Sequence, residues 1–188
     1  MLGDLPQDLK YRGEDSQLVI WESNEIREMV TMHLGTASGG GVTRVGSNNL
    51  IMVGCHVAHD CMLGDRIIMA NAVQLAGHIT VQDHAVIGGA VAVHHFVTFG
   101  RYSFTGGMAR IVRDVPPYML CEGNPAEIRG INTIGLERAG FTTEQMQRLK
   151  DAYRLLWRRG SDGGMLFEQK MAKLEQNYPS DHHIQTLV

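Results

Sequence analysis

Residues 45–116, cut into sixes, read VGSNNL IMVGCH VAHDCM LGDRII MANAVQ LAGHIT VQDHAV IGGAVA VHHFVT FGRYSF TGGMAR IVRDVP. The first letters, from Val45, Ile51 and Val57 to Phe99, Thr105 and Ile111, form an apolar column broken only at Thr105. The fifth letters, from Asn49, Cys55 and Cys61 to Ala109 and Val115, form a second column of small or apolar residues, and most second letters are Gly or Ala. Two apolar columns in six residues fit neither an amphipathic helix nor an alternating strand. They fit a short strand that turns a corner, repeated: the hexapeptide class of parallel β-helix. Three hexads make one triangular coil, so residues eighteen apart stack at about 4.8 Å. The first and fifth letters fill the prism, and the third and fourth fall at corners, where polar side chains are expected to point outward. The left-handed coil of this class, an exception to the usual crossover rule, is taken from class resemblance, since spacing does not fix it.

The hexad phase continues upstream through Ile20, Ile26 and Met32, with IREMVT and MHLGTA on template, and Leu2-Gly3 has the look of another hexad start. Two stretches interrupt it. Residues 7–15 (QDLKYRGED) are charged and residues 38–44 (SGGGVTR) glycine-rich, so both read as excursion loops from corners, either solvated or functional. After Ile111 the pattern dissolves in VPPYMLCEGNPAEIRG, whose prolines mark the exit from the array. Thr142 with Gln145 reads as a capping box, and Met146, Leu149, Tyr153, Leu156 and Trp157 recur at helical spacing before Gly160. A second helix is expected over 164–177, stopped by Pro179. The organisation is thus a β-helix over 1–122 and an α-helical domain over 123–188, the apolar helix stripes being core.

The chain has 188 residues, 44 % hydrophobic letters and a formal charge of −3, without a run of about 18 apolar residues or a basic-then-apolar leader. A cytoplasmic protein with no integral membrane segment is expected. The charge balance does not suggest nucleic acid, and three cysteines, two of them in the inward column, suggest no disulfide framework.

Nine histidines supply the chemistry. His59 and Asp60 are the corner letters of VAHDCM; eighteen residues on, Gly77 stacks over His59 and His78 over Asp60, and eighteen further on His95 follows Gly77. A histidine beside a carboxylate, under a residue with no side chain, makes a concave site with a general base. Asp60 fixes its tautomer and stabilises the imidazolium that forms when it takes a proton. The Gly77 N–H is an oxyanion donor provided that the strands leave it free. A zinc ion would need imidazoles converging at about 2.1 Å, whereas His59 and His95 stack two strand spacings apart, so no metal is expected unless ligands meet between chains.

QDLKY (7–11), IREMVTMHLGT (26–36), HVAHDC (56–61), LAGH (75–78), AVHHF (92–96), DVPPY (114–118), the GNPA exit (123–126) and IGLERAGF (134–141) together resemble the acyl-carrier-protein–UDP-N-acetylglucosamine O-acyltransferase family of lipid A synthesis. The resemblance implies a homotrimer of left-handed β-helices with sites between subunits. It implies no cofactor: the donor is acyl carrier protein bearing a (3-hydroxy)acyl phosphopantetheine thioester. By position it makes His59 the base toward the glucosamine 3-hydroxyl, Asp60 its support and Gly77 the oxyanion donor. Asp8, Lys10, His33, His56, His78, His94 and His95 are assigned to the sugar, diphosphate and donor surroundings. Asn132 and Arg138 fall to the nucleotide end, and Gly107, with Met108 and Phe104 nearby, to acyl-chain length. The family differs in having Gln at His95, a charged residue at Ile134, arginine at Ala139 and glycine at Trp21, and in carrying further N-terminal coils before the point matching Met1. Two other functions fit the same pattern: a hexapeptide acyltransferase acting on the nitrogen of a nucleotide amino sugar, and a truncated trimer that binds without turnover.

Overall fold

The computed structural model describes residues 1–158 and 164–187. Three sheets make the prism. Sheet I runs through Leu2–Asp4, Thr31–His33, His56–Val57, Gln74–Leu75, Ala92–Val93 and Arg110–Ile111. Sheet II holds Gln17–Ile20, Val42–Val45, Met62–Leu63, Thr80–Val81 and Thr98–Phe99. Sheet III stacks Glu25–Ile26, Leu50–Ile51, Ile68–Met69, Val86–Ile87 and Phe104–Thr105, then Met119–Gly123 and Ala126–Ile131.

The eighteen-residue register holds strand by strand: Leu75 pairs in parallel with Val57 on one side and Val93 on the other. Every first-letter and fifth-letter residue from Val45 to Val115 is buried. The core is a single column, in which truncating a filled position such as Ile79 to alanine costs about 2–5 kcal/mol. Where the inward column carries Asn49, its amide is satisfied within the stack: Oδ1 accepts from Ile67 N–H and Nδ2 donates to Gly64 O.

At the corners the fourth letter is left-handed. Asn48, Asp60, Arg66, Ala72, His78, His84, Ala90, Phe96, Tyr102 and Met108 have φ between 55° and 64°, and Gly54 has φ 71°. A left-handed second central residue, with the second-letter carbonyl accepting from the fifth-letter N–H (Gly100 O from Ser103 N, 3.1 Å), is a type II turn. Each non-glycine there costs roughly 1 kcal/mol, a strain that ladder bonds on both sides over-determine.

The excursions differ from the sequence expectation in one respect. Ile26 pairs with Ile51, twenty-five residues on, so seven residues are inserted before the regular array. Yet Val42–Val45 is strand, paired with Gln17–Ile20, because Val42 to Arg44 find a ladder partner. The extra length lies in a short 3-10 turn, Ala37–Gly39, and the two glycines after it.

The exit also differs. Pro116 and Pro117 do end the hexads, but Met119–Gly123 returns to pair with Phe104–Thr105, and Ala126–Ile131 folds back antiparallel on it. The division at 122/123 therefore falls within a hairpin that extends sheet III, and helices start only at Thr133. These are α1 (Thr133–Arg138), α2 (Thr143–Trp157), α3 (Phe167–Asn177) and α4 (His182–Leu187). The Thr142–Gln145 box starts α2: Thr142 Oγ1 accepts from Gln145 N–H at 3.2 Å, and Gln145 Oε1 from Thr142 N–H at 2.8 Å. Met146, Leu149, Ala152 and Leu156 are its buried stripe, with Tyr153 and Trp157 half-buried at its edge. They pack with Tyr118, Met119, Leu136, Leu174 and Ile184 into a second core over the end of the prism. Gly160, expected to stop α2, lies outside the described residues.

Candidate active site

His59 and Asp60 occupy the corner between sheets I and II, the letters expected to face solvent, yet they are only 7 % and 4 % exposed. The second excursion covers them. Thr36 N–H donates to Asp60 Oδ1 at 2.7 Å and Thr36 Oγ1 to Asp60 Oδ2 at 2.7 Å. Gly39 lies so close that a Cβ there would overlap the Asp60 carboxylate. Asp60 N–H donates to Thr43 Oγ1 at 2.8 Å. None of these partners was visible as such in the sequence. Thr36 and Thr43 sit beside and within a stretch that reads as loop, and their pairing with Asp60 depends on where the insertion lands.

His59 Nδ1 lies 2.8 Å from Asp60 Oδ2. Both Asp60 oxygens already accept from Thr36, so Nδ1 is the donor in this contact, and in the neutral ring Nε2 then keeps its lone pair. Gly77 stands above the ring, where a Cβ would overlap it, which is why this coil needs glycine. The Gly77 carbonyl accepts from Phe96 N–H, whereas its N–H has no acceptor among the described residues.

His78 meets His59 edge-on, with ring centroids 5.1 Å apart, and stacks flat on Phe96 at 4.6 Å. Burial pushes its pKa down, against the pull of Asp60 and Asp8, which favours the neutral ring. Gln7, His56, His59, Gln74, Gly77 and His95 line a cavity of about 320 Å³. A neighbouring recess of about 420 Å³ shares Gln7, His56 and Gln74 and adds His33 and Asp4. His56 Nδ1 lies 2.8 Å from Thr31 Oγ1, and His33 meets His56 edge-on at 4.7 Å. Burial lowers the pKa of both. His33 Nδ1 is buried with no partner among the described residues.

The remaining sequence candidates divide. Asp8 is half-buried, accepts from the Lys10 N–H at 2.9 Å, and lies near enough to act on His78. Lys10 and His94 are exposed, and His94 is edge-on to His95. Asn132 is the N-cap of α1: Oδ1 accepts from Gly135 N–H and Nδ2 donates to the Tyr102 carbonyl. Arg138 is exposed in the last turn of that helix. Gly107 and Met108 form the corner between sheets III and I, with Met108 80 % exposed, and Phe104 faces outward on sheet III. Within one chain, therefore, Asn132, Arg138, Phe104, Gly107 and Met108 do not line the His59 cavity.

Two other chemistries can be weighed against this geometry. One ligand atom each from His59, Asp60 and His78 lies within 4.8 Å of the others, close enough to consider a metal ion. Both Asp60 oxygens, however, already accept short hydrogen bonds, an arrangement suited to holding an imidazole. Burial pushes the Cys61 thiol up to about 12 and Cys121 up to about 11, so neither is a thiolate nucleophile near neutrality.

A family profile described as Udp N-acetylglucosamine O-acyltransferase, domain 2, matches residues 114–188. Acyl-[acyl-carrier-protein]–UDP-N-acetylglucosamine O-acyltransferase of Anaeromyxobacter dehalogenans is 47 % identical over 97 % of this chain and 71 % of its own length. The enzyme of that name from Myxococcus xanthus is 48 % identical over 98 % of this chain and 71 % of its own. Among solved structures, LpxA from Acinetobacter baumannii superposes with a TM-score of 0.92 at 40 % identity, over 98 % of this chain and 70 % of that one. The Bacteroides fragilis enzyme gives 0.93 at 39 %, over 99 % and 71 %. The chain thus spans about 71 % of the length of these curated relatives and shares their left-handed parallel β-helix. It belongs to the acyl-[acyl-carrier-protein]–UDP-N-acetylglucosamine O-acyltransferase family.

Proposed function

We propose that this chain moves an acyl group from the thioester of acyl carrier protein to the glucosamine 3-hydroxyl of UDP-N-acetylglucosamine, the first step of lipid A synthesis. The observation that carries the reading is the His59 imidazole, held through Nδ1 by Asp60 and open at Nε2 beneath the free Gly77 N–H. His59 Nε2 takes the proton of the 3-hydroxyl as its oxygen attacks the thioester carbonyl. The carbonyl oxygen becomes an oxyanion, which the Gly77 N–H receives. When the tetrahedral centre collapses, the C–S bond breaks and the His59 imidazolium returns its proton to the leaving phosphopantetheine thiolate. His78, whose pKa is lowered by partial burial, and His95 bound the acceptor side, and the first excursion, which carries Asp8 and Lys10, borders it through Gln7.

In this reading the protein is a cytoplasmic homotrimer. A threefold assembly gives Asn132, Arg138 and Gly107, which do not meet His59 in their own chain, a place at a neighbour's cleft. No described helix is long and apolar enough to cross a membrane. The test is transfer from acyl carrier thioesters of graded length, alongside the mass in solution. His59→Ala should lose about 10²–10⁴-fold in turnover as an intact trimer, and retained activity removes His59 as base. Gly107→Met should shift preference to shorter chains; an unchanged profile removes the glycine from chain-length control.

A further inference from the structure

Thr36 takes no part in the chemistry above, yet both of its polar hydrogens go to the catalytic carboxylate. Its N–H donates to Asp60 Oδ1 and its hydroxyl to Asp60 Oδ2, each at 2.7 Å. The hydroxyl has one hydrogen, so at its 2.9 Å contact with Ser38 Oγ it is the acceptor. The protons are thereby ordered: Ser38 donates to Thr36, Thr36 donates to Asp60 Oδ2, and His59 Nδ1–H donates to the same oxygen from the other side. With Oδ1 also engaged and the Asp60 N–H tied to Thr43 Oγ1, the carboxylate cannot rotate without breaking charge-assisted bonds.

The turn that carries Thr36 is itself fixed. Ala37 N–H donates to Glu14 Oε1 at 3.1 Å, and Glu14 Oε2 accepts from Arg12 N–H at 2.7 Å. These backbone donors hold the Glu14 carboxyl below its usual range. Glu14 belongs to the excursion that bears Asp8 and Lys10, so the two excursions are joined at the residue next to Thr36. Gly39 presses on the other face of Asp60.

We propose that Thr36 is a positioning residue for the transfer reaction: by clamping Asp60 it holds His59 in the Nδ1–H tautomer and in one ring orientation, with Nε2 toward the acceptor hydroxyl. The proposal rests on His59 as the base, and the experiment separates the two. In steady-state transfer by the full chain, Thr36→Val removes the hydroxyl at nearly constant volume, Thr36→Ser restores it, and His59→Ala is the reference. Thr36→Val is expected to lower kcat on the order of 10–100-fold, the range found when the hydrogen-bond partners that orient metal-bound histidines are removed, with KM for UDP-N-acetylglucosamine unchanged. Thr36→Ser is expected to recover most of the loss. Nitrogen-15 spectra of the imidazoles should show His59 as the Nδ1–H tautomer in the parent and as a mixture in Thr36→Val.

Wild-type kcat in Thr36→Val, with His59→Ala inactive, overturns the Thr36 assignment and leaves the base in place. Activity in His59→Ala overturns the base itself. Equal impairment of the Val and Ser variants, with a lowered unfolding midpoint and an unchanged His59 tautomer, makes Thr36 merely structural and overturns the proposal. If Thr36→Val does not fold, Thr36→Ala carries the same comparison.

Discussion

Two corners of this prism carry the same pair of residues in opposite order and have opposite fates. VAHDCM places His59-Asp60 between sheets I and II; VQDHAV places Asp83-His84 between sheets II and III. In the second, the aspartate is the third letter, and its Oδ1 accepts the Asp65 N–H at 2.9 Å, just as Asp65 Oδ1 accepts the Ser47 N–H one coil below. It is a rung of structural corner caps, and His84 stacks on Tyr102 at 4.4 Å instead of bonding it. In the first corner the aspartate is the left-handed fourth letter, where its carboxylate reaches the preceding histidine and the excursion that covers both. The order of His and Asp at the two corner letters, plus one inserted turn, distinguishes a scaffold corner from the corner proposed to be catalytic.

Breaking each corner in turn should give the largest contrast. His59→Ala is expected to lower turnover by about 10²–10⁴-fold while the unfolding midpoint stays near the parent's. His84→Ala is expected to leave kcat unchanged and to lose about 0.5–1.5 kcal/mol of stability with its aromatic stack, read by denaturant melts. Comparable activity losses in both variants would mean that the two corners do not differ in function. The glycines sharpen the contrast at a smaller scale. Gly77→Ala places a methyl in steric overlap with the Cε1–Nε2 edge of the His59 ring, so it should cost about 10²-fold or more in kcat through the misplaced base and the disturbed oxyanion donor. Gly89, the third letter of another corner, has only the Asn71 carbonyl at 3.3 Å from a built Cβ. Gly89→Ala should therefore turn over normally with a small loss of stability, and a loss of activity there would sink the claim that Gly77 is special.

The prism was legible in the sequence because its signal is repetitive. Twelve first letters and twelve fifth letters state the core independently, and the eighteen-residue stack that follows brings Gly77 over His59. The αL turns were not legible: Arg66, Ala72, Phe96 and Met108 are not residues that announce positive φ, and only the ladder on either side holds them there. The cover over Asp60 was not legible either, since a hydrogen bond from Thr36 is a long-range contact that no local period encodes. For the same reason Val42 to Arg44 read as part of a glycine-rich loop while they pair as strand. The hairpin after Pro117 is hidden by its prolines, which end the hexads without ending the sheet.

The least effect, and the one that involves both corners, is on stability against pH. Burial lowers the pKa of His78 at the His59-Asp60 corner and of His84 at the scaffold corner, as it does for His33, His56 and His183. In the unfolded chain each of these titrates near about 6.5. Below that pH the unfolded state binds more protons than the folded one, so stability falls as pH drops from about 6.5 toward the lower folded values. Above it both states are neutral and these residues add no slope. The unfolding midpoint should thus be flat from about pH 7 to 8 on their account and decline toward pH 5. His84→Gln and His78→Gln should each reduce that decline by a similar small step, because burial is the leading cause at both sites. Activity should distinguish the pair: the His84 variant keeps the parent's rate, whereas the His78 variant, one ring from His59, does not. A steeper acid decline in either variant would reverse the sign argued here and show that its histidine is held charged in the folded chain.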